Sequence, residues 1–297
     1  MSEGFYNHKQ KIQMCDICDE PTERCEDDEL RIGNIVHCPS CFQRSKLIQG
    51  DCLEMMDYIY DETVDLILCD LPYGVTKNKW DSVIDLEKLW KHYERIIKPN
   101  GAILLFGQDK FSARLMLSNE KLHRYNLIWE KTTPTGHLNA KKMPLRSHED
   151  ILVFYKQLPT YNPQKTTGHE RKVSTSKHKR NSKKTTNYGE HGLTTYDSTE
   201  RYPKSVIKFA TDKQKCSFHP TQKPVELCKY LIKTFTNEGD LVLDNCAGSG
   251  TTGVACIETN RDFILIERES DMIEVIKKRV GDFNKSFSHG TLFDARQ

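Results

Sequence analysis

Asp70-Leu71-Pro72-Tyr73 follows directly on a short apolar run, Val64–Cys69, and its residue types suit one kind of chemistry. An exocyclic amine on an aromatic base is a poor nucleophile, because its lone pair is delocalised into the ring. Two acceptors that take both N–H groups in hydrogen bonds favour a tetrahedral nitrogen and free the lone pair to attack a methyl sulfonium. The Asp70 carboxylate and the Leu71 main-chain carbonyl are two such acceptors, and Pro72 stiffens the turn between them and Tyr73. The Tyr73 ring offers a face for the base. That nitrogen is inaccessible inside a duplex, so the nucleotide has to leave the stack, and stacking on an aromatic ring offsets part of the loss. Taken alone, the four residues read equally well as an ordinary strand-end turn.

A second constellation runs from Asp244 to Gly253, DNCAGSGTTG. Glycines let the chain turn sharply and approach a ligand closely, and the N-terminus of a following helix presents unpaired N–H groups. Glu267 lies 19 residues beyond Gly248, about where a nucleotide-binding α/β fold places the carboxylate that holds ribose hydroxyls. Gly248, Gly250 and Gly253 spell G-x-G-x-x-G, which keeps a dinucleotide site open. Asp244 argues against it: a carboxylate there repels a pyrophosphate but suits a cationic ligand, such as the amino-acid portion of S-adenosylmethionine.

The third constellation is Cys15-x2-Cys18 with Cys38-x2-Cys41, the two pairs separated by 19 residues. That spacing fits one tetrahedral four-thiolate zinc site, with His37 and Cys25 as weaker alternative ligands. Residues 1–45 carry nine Asp and Glu against five Lys and Arg. Four thiolates would add to that negative charge, which favours a structural cap or a protein contact over phosphate binding. By contrast, residues 161–217 hold thirteen Lys and Arg against five Asp and Glu, a local excess of +8 in a chain of formal charge +2. The densest part, 172–184, contains Lys172, Lys179, Arg180, Lys183 and Lys184, and phosphate neutralisation would explain it. A solvated loop with incidental charge is the alternative.

The elements that position these groups follow from hydropathy patterning. Val64–Cys69 reads as a buried parallel strand. Apolar residues Leu86, Leu89, Trp90, Tyr93, Ile96 and Ile97 predict a helix over 85–98, stopped by Pro99-Asn100-Gly101. Strands follow at 102–106, near 127–129 and at 151–155. After the basic stretch the pattern is helix 225–235, strand 240–243, the glycine turn, helix 251–258, strand 262–266 and helix 271–280. Strands alternating with helices predict a Rossmann-like, doubly wound and mostly parallel α/β sheet. The 297 residues and 37% hydrophobic content suffice for one large domain plus attachments.

At this point the chain resembles the amino-methylating DNA methyltransferases of the permuted, beta-type order. Their catalytic motif is usually D-P-P-Y or S-P-P-Y, and here it is D-L-P-Y-G, Asp70 to Gly74. Leucine keeps the main-chain carbonyl that the chemistry uses and gives up only the fixed φ of proline. IQGDCLEM, 48–55, is similar to the segment such enzymes place before the catalytic strand, and its Asp51 is implied to approach the cofactor adenine. His219-Pro220-Thr221-Gln222-Lys223-Pro224 is similar to their H-P-T-Q-K-P signature, and DNCAGSGTTG to their cofactor loop. The resemblance covers about residues 46–283.

It implies a class I methyltransferase fold with S-adenosylmethionine held by Asp51, Asp244, Gly248, Gly250, Thr251 and Glu267. His219, Thr221, Gln222 and Lys223 would close over the cofactor's amino-acid end. An aspartate at the first motif position is associated in the family with N6 of adenine, and a serine with N4 of cytosine. The resemblance implies a catalytic half over 46–156, a target recognition insert over 157–217 and a cofactor half over 218–297; the zinc module over 1–45, expected from the cysteine spacing, lies outside it.

The expected partner is double-stranded DNA, and a homodimer stays open. No apolar run approaches bilayer length and the start lacks the apolar segment of a signal peptide, so the expected location is the cytoplasm of a bacterial or phage-infected cell. Three other readings remain open: the same reaction on cytosine N4 or on RNA, a nicotinamide-dependent oxidoreductase, and a non-enzymatic zinc DNA-binding protein.

Overall fold

The computed structural model describes residues 46–74, 83–174, 195–211 and 222–284, together with the backbone of four short strands nearer the N-terminus. These four are β1 (Ile12–Met14), β2 (Pro21–Cys25), β3 (Arg31–Ile32) and β4 (Ile35–Val36). They form two antiparallel pairs, β1 with β2 and β3 with β4.

The main sheet has eight strands: β5 (Lys46–Gln49), β6 (Val64–Cys69), β7 (Ile97–Gly107), β8 (His123–Thr135), β9 (Arg146–Phe154), β12 (Val206–Phe209), β13 (Leu241–Asp244) and β14 (Asp262–Glu267). Their order across the sheet is β12-β8-β9-β7-β6-β13-β14-β5. Every neighbouring pair is parallel except the two made by β9, which runs against both β7 and β8. The sheet is therefore mixed and mostly parallel. β6 and β13 are neighbours, in register at Val242 with Leu66 and Leu243 with Ile67. From β13 the chain continues to β14 on one side, and from β6 to β7 on the other, so the strand order reverses between them. In open α/β sheets the crevice at the carboxyl ends of such a strand pair is where ligands bind. Asp70 and Asp244 lie at those two ends.

Among the described residues six helices cover the sheet: α1 (Cys52–Met55), α2 (Leu86–Ile96), α3 (Asp109–Ser118), α4 (Val225–Phe235), α5 (Thr251–Ile257) and α6 (Ser270–Asn284). The core divides by strand alternation, since successive side chains on a strand point to opposite faces. Ile67 and Cys69 of β6 join Ile103, Leu105, Leu89, Tyr93, Ile96 and Leu115 on the face carrying α2 and α3. Leu66 and Leu68 join Leu104, Val242, Leu227, Leu231, Phe235 and Ile276 on the face carrying α4 and α6. The result is a three-layer sandwich. Asp65, beside this core, ties three strands: Lys98 Nζ contacts its two oxygens at 2.7 and 2.9 Å, and the Leu241 N–H donates to it at 3.0 Å.

The structure adds β5, α1 and α3, which the sequence patterning did not include, and departs from that patterning elsewhere as well. α2 ends at Ile96, and β7 begins at once at Ile97, so Pro99 and Asn100 lie inside a strand whose register with β6 shifts between Val64 and Leu66. Val206–Phe209, within the polar basic stretch, is a strand that pairs parallel with β8.

Residues 163–205 form a second compact unit. Within it β10 (Lys172–Ser174) pairs antiparallel with β11 (Tyr196–Ser198). The Arg171 guanidinium forks onto Asp197 with bonds of 2.7 and 2.6 Å, and Lys165 pairs with Glu200 at 2.9 Å.

Candidate active site

Asp70 leaves β6 at the floor of a cleft of about 640 Å³, and 29% of its side chain remains exposed there. Burial of the rest pushes its carboxyl above the ordinary carboxylate range, while Lys223 pulls the other way without cancelling that effect. Its Oδ1 accepts from the Tyr73 hydroxyl at 2.9 Å, and its Oδ2 is 2.7 Å from Lys223 Nζ. The Leu71 side chain turns into the core, leaving its carbonyl as the group that residue can offer. Tyr73 stacks on Phe111 with centroids 4.6 Å apart and planes inclined by 26°. Phe111 thus covers one face of the ring, and a base has only the other. Burial and the Asp70 charge raise the Tyr73 hydroxyl well above its usual range, so it stays a proton donor to Asp70.

Behind Asp70 lies a chain of alternating charges absent from the sequence analysis. Lys223 Nζ, which bridges to Asp70, also contacts Glu149 Oε2 at 3.1 Å, and Glu149 Oε1 accepts from Lys131 at 2.5 Å. All three side chains are nearly buried: 12% of Lys223, 12% of Glu149 and 7% of Lys131 remains exposed. Burial pushes Glu149 upward, but Lys223 and Lys131 together outweigh it and hold the carboxyl below its usual range. Burial acts to lower Lys223, yet Asp70 and Glu149 outweigh it and raise the ammonium. Glu149 belongs to β9, whose antiparallel course brings its N-terminal part to the same edge as the carboxyl ends of β6 and β7. A strand at 151–155 was legible; its antiparallel direction, and with it the place of Glu149, was not.

Across the cleft, Asp244 is buried and accepts from Thr252 Oγ1 at 2.6 Å and from the Cys246 N–H at 3.1 Å. Burial raises its carboxyl to about 6. Gly248 and Gly250 both have positive φ, 51° and 78°, the left-handed region that glycine adopts without strain. A side chain at Gly248 would meet no protein atom within 4 Å, so the backbone there faces open space. Its N–H donates to Glu267 Oε2 at 2.7 Å, while the Glu269 N–H donates to Glu267 Oε1 at 2.8 Å. Two bonds leave part of that carboxylate's acceptor capacity unused. Thr251 opens α5, Gln222 Oε1 accepts from Ser249 Oγ at 3.4 Å, and Asp51 caps α1 through the Leu53 N–H at 2.9 Å. Asp51, Asp70, Asp244, Gly248, Gln222 and Glu267 all line the one cleft.

The structure therefore brings together Asp70 to Tyr73, Asp51, Gln222, Lys223, Asp244, Gly248, Thr251 and Glu267, with Lys223 on the Asp70 carboxylate rather than on the glycine turn. Lys172 lies on β10 in the second unit. His219, Thr221, Lys179, Arg180, Lys183, Lys184 and the thiols of Cys15, Cys18, Cys38 and Cys41 lie outside the described residues. Among the described residues no His, Cys, Asp and Glu group is arranged to hold a metal ion, and no helix is long and apolar enough to cross a membrane.

Residues 64–278 match the family described as DNA methylase. The type II methyltransferase M2.DpnII of Streptococcus pneumoniae is 27% identical over 290 residues, covering 88% of this chain and 99% of that one. The DNA adenine methyltransferase YhdJ of Escherichia coli K12 is 29% identical over 252 residues, 79% of this chain and 82% of that one. The fold is shared with the crystal structure of the M1.HpyAVI–SAM complex, at a TM-score of 0.54 and 24% identity over 79% of this chain and 98% of that one.

Proposed function

The chain belongs to the DNA methylase family, and we propose that it transfers a methyl group from S-adenosylmethionine to N6 of an adenine flipped out of duplex DNA. The observation that carries this reading is the position of Asp70 and the Leu71 carbonyl beside the glycine turn at the strand switch point. Adenine is favoured over cytosine by the aspartate at the first motif position and by the name of the E. coli relative.

The cleft residues suit the cofactor. Among the described residues Asp244 has no cationic side chain paired with it, and a buried carboxylate in that state suits a cationic ligand. Gly248 leaves room for close approach, Glu267 keeps acceptor capacity for hydroxyls, and Asp51 stands at the rim. When bound, S-adenosylmethionine supplies a methyl group on a positively charged sulfur. The remaining work falls to the chain itself. Asp70 and the Leu71 carbonyl accept the two N–H bonds of the amine and bring its lone pair out of the ring. Tyr73 holds one oxygen of Asp70 and presents its uncovered face to the base. The freed lone pair attacks the methyl group directly and displaces the sulfur, so no covalent nucleophile is required, and Cys69, buried at the end of β6, serves packing.

The remaining assignments rest on the sequence. Cys15, Cys18, Cys38 and Cys41 form a structural zinc site in the module 1–45, and metal analysis returning under about half an equivalent of zinc would remove it. Lys172, Lys179, Arg180, Lys183 and Lys184 contact DNA phosphates from the insert 157–217, which separates a catalytic half, 46–156, from a cofactor half, 218–297. Methylome sequencing of cells expressing the protein tests the central reading. The expected result is N6-methyladenine at one recurring sequence; N4-methylcytosine, or unmodified DNA, would contradict it.

A further inference from the structure

Resting on the reading of Asp70 as the group that receives the target amine, we propose that Lys223 and Glu149 are positioning residues that set the charge and aim of Asp70. Three observations support this. Lys223 Nζ is 2.7 Å from Asp70 Oδ2 and 3.1 Å from Glu149 Oε2, so one ammonium is shared by two carboxylates, one in the turn after β6 and one on β9. Glu149 is fixed in turn by Lys131 at 2.5 Å, which ends the chain in a second ammonium. Lys223 Nζ also lies over two aromatic rings, 4.9 Å from the centroid of Phe106 and 5.9 Å from that of Tyr73. An ammonium so held has little freedom to move, and its geometry is transmitted to Asp70.

The chemistry gives this arrangement a purpose. Asp70 works only as a carboxylate, because a protonated acid gives up acceptor capacity on one oxygen. Burial disfavours the charge, and Glu149 adds a like charge nearby; Lys223 opposes both. The groups facing Asp70 are Lys223 ahead of α4, Glu149 on β9, Tyr73 in its own turn, and the more distant Asp244 on β13 and Cys69 on β6, with Lys131 on β8 acting through Glu149. Lys223 thus raises the ionised fraction of Asp70 while Glu149 limits how tightly the ammonium binds it. A lysine paired with Asp70 alone would compete more strongly with the incoming amine for the same oxygen.

The two neighbours therefore displace the acid limb of activity in opposite directions. In single-turnover methylation of duplex DNA, the wild-type rate rises with pH as Asp70 ionises. Lys223→Met moves that limb to higher pH, with a rate on the order of tenfold lower than wild type at a fixed pH on the limb, relative to each plateau. Glu149→Gln moves it to lower pH, and Lys223→Arg, which keeps the charge, leaves it close to wild type. Cofactor binding by calorimetry verifies that each variant is folded. Limbs that stay in place, or that move the same way in Lys223→Met and Glu149→Gln, overturn the proposal. Full activity in Asp70→Asn would instead remove the reading on which it rests, and that outcome is separately visible.

Discussion

Burial raises the Asp244 carboxyl, at the start of the glycine turn, to about 6. A carboxyl raised in the folded state has a charged form that is disfavoured by folding and favoured by a cationic ligand. Cofactor affinity should then rise with pH through about 6, the reverse of a carboxylate already neutralised by a lysine. At pH 5 about a tenth of such a group is ionised, and at pH 7.5 nearly all of it, so S-adenosylmethionine should bind about tenfold more weakly at the lower pH. Asp244→Asn should bind weakly at both, with the pH dependence gone; calorimetric titration at the two pH values decides. Asp70 differs in that its charge has a partner, Lys223, which is why its neighbours, rather than a ligand, govern its state. Asp70, Asp244 and Glu267 were legible because each ends an apolar run. Glu149, Lys131 and Phe111 were not, because their roles come from the antiparallel course of β9 and from α3, and neither leaves a local trace.

The helices show the same division between local and long-range signals. α2 was readable from its apolar spacing, and Asp85 caps it by accepting from the Glu87 and Lys88 N–H groups at 3.0 and 3.2 Å. The stop at Pro99-Asn100-Gly101 was only partly right, because a parallel edge beside β6 captures the chain from Ile97 onward and overrides the turn chemistry. α5 depends on Gly250, whose φ of 78° sits at its N-terminus. A Cβ there would come 3.0 Å from the Ile276 side chain of α6, which is itself in the core. Gly250→Ala therefore combines a left-handed backbone cost of about 1–2 kcal/mol with a crowded contact. For a chain of this size that should lower the thermal midpoint by roughly 2–8 °C and weaken cofactor binding, because the start of α5 forms one wall of the cleft. A midpoint equal to wild type would show that the turn relaxes without cost.

At the scale of the molecule, the segment containing Asp70 precedes the glycine turn by some 170 residues, yet β6 and β13 are hydrogen-bonded neighbours. That adjacency follows from a doubly wound sheet whose strand order reverses between them, and it was legible only through the order of the motifs. The charge layout is a property of the same scale: residues 161–217 carry an excess of +8 while the chain totals +2, so the remainder is net negative. Replacing Lys179, Arg180, Lys183 and Lys184 with Ala should weaken duplex binding and flatten its salt dependence, each lost phosphate contact removing about 0.9 from the log–log slope. An unchanged slope, measured by fluorescence anisotropy across salt concentrations, would assign those charges to solvent. The most direct test of the whole account is Asp70→Asn, a near-isosteric change that removes the carboxylate and keeps the shape of the turn. Single-turnover transfer of labelled methyl to duplex DNA should fall by at least about a hundredfold, as expected when a group acting on the reacting nitrogen is lost, while S-adenosylmethionine binding stays within a few-fold of wild type. Transfer at the wild-type rate would contradict the account at its centre.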